Sequence, residues 1–241
     1  MVILAIVLAA ILTIGNEIVS GDVPNSNATW IAQRLERLGV KVVLTAAVPD
    51  DEERIVEIVR REASRVDHLF ITGGLGGTPD DITREAIAAA FAVEQEVVPE
   101  LADDLRARFK GAPEYAARWA ALPKGSRMLE NPLGGAPGFH LGNVWVYPGL
   151  PSEMEAMFQR YEEELRTDAP ILVWRRKERT RESTIAPALE EATESWPAVS
   201  IGSYPAFQAD GPVVEVVVRS SDEGDFDAAV AFLDSELDRL T

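Results

Sequence analysis

Residues 72–81 read Thr72-Gly73-Gly74-Leu75-Gly76-Gly77-Thr78-Pro79-Asp80-Asp81. An apolar run, Leu69-Phe70-Ile71, precedes them, and a helix-like segment, Ile82-Thr83-Arg84-Glu85-Ala86-Ile87, follows. Glycines let a backbone turn its N–H groups toward a ligand, and the helix start adds free donors and the positive end of a dipole. A strand-to-helix turn of this composition suits an anion. It lacks the lysine of the G-x-x-x-x-G-K-[ST] nucleotide loop and does not match G-x-G-x-x-G. Asp80 and Asp81 do not suit a pure anion nest, but they suit a phosphate site assisted by a metal. The plain alternative is a tight turn.

Outward from this loop, the first 165 residues alternate strand and helix signals. Ala10–Ile14 is expected as a first strand, and 25–38 as a helix capped by Asn25 or Ser26 and ended by Gly39. Val40–Val48 is the next strand, and Asp50 or Asp51 caps a helix carrying Ile55, Ile58, Val59 and Ala63. Asp67–Thr72 leads into the glycine loop and a helix through Phe91. Residues 94–122 read as helices and connectors, 131–139 as ordered loop, and Val144–Tyr147 as a short strand before a helix opened at Pro148–Glu153. Such alternation predicts an α/β fold with a mostly parallel sheet covered on both faces. Past the basic run at 175–181, a helix, two strands and a final helix predict a second, smaller α+β domain. The expected domains are 1–170 and 171–241.

The chain has 241 residues, no cysteine and two histidines, His68 and His140. Disulfides, thiolate zinc sites and a cysteine nucleophile are excluded, and a reducing cytoplasm is the expected location. Net charge is −17, which predicts a solvated acidic surface of the halophile kind and disfavours nucleic acid as a partner. The apolar start, MVILAIVLAAILTIG, is shorter than the roughly 20 residues that span a bilayer. No membrane partner is expected. Residues 1–9 read either as an extension of the first strand or as a mis-assigned start.

In an open parallel sheet the carboxyl ends of the strands border the ligand crevice. The turn after the first strand supplies Glu17, Asp22, Asn25 and Asn27 there, and Pro49-Asp50-Asp51 follows the second. Two or three carboxylates converging with ligand phosphates would hold magnesium. Tyr147-Pro148-Gly149-Leu150-Pro151-Ser152-Glu153 opens a helix, with Ser152 either capping it or meeting phosphate. The basic run reads as a solvated strand or hinge, and both histidines as packing residues.

Taken together, ILTIGNEIVSGD (11–22), NSN (25–27), VPDD (48–51), TGGLGGTPDDIT (72–83), NPLGGAPGF (131–139), YPGLPSEM (147–154), RESTIAPAL (181–189) and SIGSYPAF (200–207) resemble the competence/damage-inducible protein A (CinA) family, built on the molybdopterin-binding fold. The resemblance implies a three-layer α/β/α domain, a smaller α+β domain and a homo-oligomer. It also implies a crevice for molybdopterin or a nucleotide diphosphate, and hydrolysis of ADP-ribose with a divalent metal (Mg, Mn or Co). On that analogy Glu17, Asp50, Asp51 and Asp81 are the catalytic acids, with Glu17 and Asp81 on the metal. Gly73, Gly74, Gly76, Gly77, Thr78 and Asn27 hold the ligand's phosphates, and Pro148, Pro151 and Ser152 close the far side. No nicotinamide-nucleotide amidase activity is expected. Relatives often carry proline where this chain has Gly77, a departure expected to loosen the loop. Molybdenum-cofactor assembly and a non-catalytic binding module remain alternatives.

Overall fold

The computed structural model describes residues 6–167 and 171–240. Of the segment 1–9, residues 1–5 lie outside the described residues, as does residue 170 at the expected domain boundary. The chain divides into two compact units, Met1–Thr167 and Asp168–Thr241.

Unit 1 begins with β1 (Leu8–Ile14), α1 (Asn16–Val19), α2 (Ser26–Arg37), β2 (Lys41–Val48), α3 (Glu52–Ala63) and β3 (His68–Thr72). Then come α4 (Thr83–Phe91), β4 (Gln95–Val97), α5 (Pro99–Arg108), α6 (Pro113–Ala117), β5 (Ala121–Pro123), β6 (Arg127–Leu129), β7 (Gly138–Leu141), β8 (Val144–Tyr147) and α7 (Pro151–Tyr161). Six strands form one sheet in the order β2-β1-β3-β8-β7-β6. The first four are parallel, and β7 and β6 continue it as antiparallel neighbours.

Alternate side chains of each central strand feed two different cores. Ala10, Leu12 and Ile14 of β1, Leu69 and Ile71 of β3, and Val144 and Val146 of β8 face one layer. Ala9 and Ile11, Phe70, and Trp145 and Tyr147 face the other, with Ile31 and Leu35 of α2 and Met154, Met157 and Phe158 of α7. A strand covered on both sides has no polar face to show, which is why these strands read as unbroken apolar runs. Edge strand β2 is covered less and alternates exposed with half-buried residues.

Two readings are corrected. Residues 94–122 contain, besides α5 and α6, a two-stranded antiparallel ribbon of β4 and β5. The glycine-rich loop of 131–139 gives way at Gly138 to β7, which turns tightly through Gly142 (φ 61°) into β8. Three- and four-residue strands offer too few alternations for a period to register.

Unit 2 comprises β9 (Leu172–Glu178), α8 (Glu182–Ser195), β10 (Ser200–Gln208), β11 (Gly211–Ser220) and α9 (Glu223–Leu240). Its antiparallel sheet runs β10-β11-β9. Val214, Val216 and Val218 of β11 pack on Ile185 and Ala192 of α8 and on Ala229, Leu233 and Leu237 of α9. The basic run is part of β9, and Arg176 within it is tied to Glu178, Asp234 and Asp238. Unit 1 has the three-layer α/β/α architecture with a mostly parallel sheet, and unit 2 is the smaller α+β element.

Candidate functional site

At the carboxyl ends of β1, β2, β3 and β8 the chain leaves a hollow of about 430 Å³. The glycine loop, the turn after β1, Asp50, the Pro148–Pro151 bend and the Gly135–Ala136 stretch all border it.

Local chemistry places each wall. Asn25 caps α2 by accepting from Ala28 N (3.2 Å) and also accepts from Thr13 Oγ1 (2.9 Å), which pins the helix start to β1. Asn27, on the first turn, is buried. Its Nδ2 donates to Thr72 Oγ1 (2.9 Å) and to Gly149 O (2.8 Å), while Thr72 Oγ1 donates to Pro148 O (2.8 Å). A carbonyl acceptor fixes which end of the amide faces Gly149. Asn27 Oδ1 is thereby left as a buried acceptor without a donor. The 148–149 bend approaches the loop so closely that a Cβ on Gly149 would stand 3.3 Å from Gly73 Cα.

The loop itself can be accounted for donor by donor. Gly73 N donates to Tyr147 O (3.2 Å). Asp81 turns inward, and its carboxylate accepts from Gly76 N (2.8 Å), from Thr78 N (2.8 Å) and from the Thr78 hydroxyl. Gly77 N donates to Tyr115 Oη (3.2 Å). The N–H groups of Gly74 and Leu75 have no protein acceptor among the described residues. On the outer side, the buried Arg84 guanidinium donates to Leu75 O and Gly76 O (both 2.7 Å), and Arg118 donates to Gly77 O (3.2 Å). Burial lowers the pKa of Arg84, while Glu85 and Asp81 oppose that shift.

Of the residues singled out from sequence, Glu17, Asp50, Asp81, Asn27, Gly73, Gly74, Gly76, Pro148 and Pro151 meet at the hollow. Asp51, Gly77, Thr78 and Ser152 do not line it. Asp51 is spent as the N-cap of α3, accepting from Arg54 N (3.0 Å). Ser152 stands exposed in the first turn of α7, whose cap position, Leu150, makes no side-chain bond. Gly77 is gripped at both its N–H and its C=O, so the loop is tied down there rather than loosened. Its lack of a Cβ makes room for the Tyr115 ring, which a side chain would meet.

One lining residue, Trp119, carried no sequence signal; it is held edge-on by Phe109 and Tyr115, and its buried Nε1 has no acceptor among the described residues. Glu153, in the stretch read as opening a helix but given no role there, also lines the hollow, accepting from Asn131 Nδ2 (2.9 Å) and lying against Gly135.

The acids share one rim. Burial raises the pKa of Asp50, Asn16 N donates to it (2.9 Å) and opposes the shift, and Glu17, Asp80 and Asp81 push it higher. Among the described residues no three His, Cys, Asp or Glu side chains stand close enough to hold a metal ion by themselves. The donor set suits a cation carried in on ligand phosphates, which needs only one or two protein carboxylates. No helix among the described residues is long and apolar enough to cross a membrane.

Comparison with known proteins bears on both units. A model of the probable molybdopterin binding domain matches residues 10–167, and a model of the FAD synthase middle domain matches 178–240. A protein of Pyrobaculum aerophilum is 36% identical over 247 aligned positions, which cover 96% of this chain and 92% of its own length. A CinA-like protein of Parasynechococcus marenigrum is 42% identical over 158 residues, 62% of this chain but 38% of its own length. The crystal structure of CinA from Thermoplasma acidophilum, a protein of unknown function, is 31% identical with a TM-score of 0.62, covering 66% of this chain and 97% of that one.

Proposed function

We propose, because this chain belongs to the probable molybdopterin binding domain family, that the hollow of unit 1 binds a phosphorylated small molecule with a planar ring, molybdopterin being the leading ligand. The observation that carries this reading is the pair of unpartnered N–H donors on Gly74 and Leu75, two residues that line the hollow. Donors at a glycine turn before a helix start suit a phosphate. Ile14, Leu75, Trp119 and Ala136 supply apolar wall for a ring. Asn27 Oδ1 adds an acceptor whose burial without a donor is costly until a ligand group or a water serves it.

Titration with molybdopterin, followed by melting temperature, tests the reading. A ligand that binds only the native state raises the midpoint in a saturable way. No shift with molybdopterin or with ADP-ribose overturns it.

A second reading is hydrolysis of a nucleotide diphosphate, ADP-ribose above all. The gathering of Glu17, Asp80 and Asp81 around Asp50, which adds to burial in raising its pKa, favours it, because a cation at that rim relieves the repulsion. Bound there with the ligand, Mg, Mn or Co would polarise the diphosphate. Glu17 and Asp50 would share it, and Asp81 would join them only by releasing Gly76 and Thr78. Release of AMP from ADP-ribose with one of these cations selects this reading. Binding without turnover of any candidate selects a non-catalytic module. A cytoplasmic homo-oligomer belongs to the same proposal, with light scattering as its check.

A further inference from the structure

Thr83 lies outside the acids and glycines considered so far, although it touches the loop at two points. It is fully buried at the start of α4. Its Oγ1 donates to Gly73 O at 2.9 Å and its backbone N donates to Gly74 O at 3.2 Å. In a planar trans peptide the C=O and the following N–H point in opposite directions. Drawing the carbonyls of Gly73 and Gly74 toward Thr83 therefore turns the N–H groups of Gly74 and Leu75 away from it. Those are the two loop donors with no protein acceptor among the described residues, and both residues line the hollow. Gly73 and Gly74 reach this geometry at φ 106° and 63°, a region L side chains rarely adopt. A Cβ on Gly74 would run into Thr83 Oγ1, so the hydroxyl and the glycine are fitted to each other.

The far half of the loop is already filled. The N–H groups of Gly76 and Thr78 converge on the carboxylate of Asp81. That carboxylate occupies the place an external anion would take.

We propose that Thr83 is the positioning residue of the anion subsite, and that a ligand's phosphate sits on the N–H groups of Gly74 and Leu75 and not on those of Gly76 to Thr78. The subsite part rests on the functional reading above. The positioning part rests on the loop geometry alone, and the experiment separates them.

In the ligand-free protein, amide hydrogen exchange followed by NMR should be faster at Gly74 and Leu75 than at Gly76 and Thr78. Thr83→Val keeps the shape and deletes the hydroxyl, and should change the amide signals of Gly74 and Leu75. Thr83→Ser restores the hydroxyl and should return them toward wild type. Inorganic pyrophosphate added to wild type should shift Gly74 and Leu75 amides and leave Gly76 and Thr78 in place. Thr83→Val should weaken that binding about tenfold, the loss typical of one hydrogen bond, with Thr83→Ser close to wild type. Exchange as slow at Gly74 and Leu75 as at Gly76 and Thr78, or Thr83→Ser behaving like Thr83→Val, overturns the positioning role. Pyrophosphate shifting Gly76 and Thr78 instead overturns the subsite. Wild type binding molybdopterin or ADP-ribose without a shift at Gly74 and Leu75 overturns the subsite alone; wild type binding neither of these nor pyrophosphate overturns the subsite and the functional reading together, and leaves the exchange pattern to decide Thr83.

Discussion

Single residues of the loop divide between those that face a ligand and those that build the turn. Gly73 builds it. Its φ is 106°, and a Cβ there would collide with the carbonyl oxygen of Ile14, which is backbone and does not move aside. Gly73→Ala should destabilise the protein by about 3 kcal/mol, combining dihedral strain with a clash, as measured by urea denaturation. An unchanged midpoint would show that the turn has slack. Asp50 acts in the opposite direction. Its pKa is raised by burial and by Glu17, Asp80 and Asp81, so the native state takes up its proton more readily than the unfolded chain does. Ionised Asp50 therefore costs stability at neutral pH, and the cost fades as pH falls through the carboxylate range. Asp50→Asn, whose amide oxygen still accepts from Asn16 N, should melt higher than wild type at pH 7, with the gap closing near pH 4. A lower melting point at pH 7 would contradict this electrostatic account, which is that of a site holding repulsive charge in store for a ligand.

Elements show a second use of the sheet, remote from the hollow. Where β6, β7, β8 and β3 lie side by side, Arg127, His140, Trp145 and His68 form a row. His140 stacks on Trp145 with ring centres 4.0 Å apart, Arg127 stands 5.6 Å from the Trp145 ring, and Trp145 Nε1 donates to His68 Nδ1 at 3.3 Å. Burial lowers the pKa of both histidines. Arg127 lowers that of His140 further and Glu164 opposes it, while Asp67 opposes the shift of His68. A histidine held neutral in the fold contributes stability that is intact above its unfolded pKa and lost as pH falls through that value. Melting temperature should therefore drop between about pH 7 and pH 5.5. His140→Phe, which keeps the stack and cannot protonate, should flatten part of that slope; an identical slope would remove His140 from the account. Neither histidine could be placed in this row from sequence. Arg127 and His140 sit on strands of three and four residues, too short to show a period, and the pairing joins positions far apart in the chain.

The whole molecule carries a net charge of −17, and self-repulsion of that size weakens a compact state until salt screens it. Its melting temperature should climb as KCl is raised from about 0.1 M to 1 M, where the Debye length falls from about 10 Å to 3 Å; a flat response would show that the acids are already neutralised by their neighbours. Each unit has its own core, and every residue lining the hollow lies in unit 1. By itself the sequence determined the α/β pattern of unit 1, the α+β pattern of unit 2 and the turns that carry glycines and acids, because apolar periods and turn chemistry are local. It also contained the caps, but not the choice between Asp50 and Asp51 or between cap and ligand for Ser152. Only the tertiary structure decided which loop donors are already spent and which are not: Asp81 fills two, Tyr115 and the Tyr147 carbonyl take one each, and Thr83 turns two more toward the hollow. A hydrogen bond has direction as well as composition, and direction is set when the strands align and the helix starts come to rest against them.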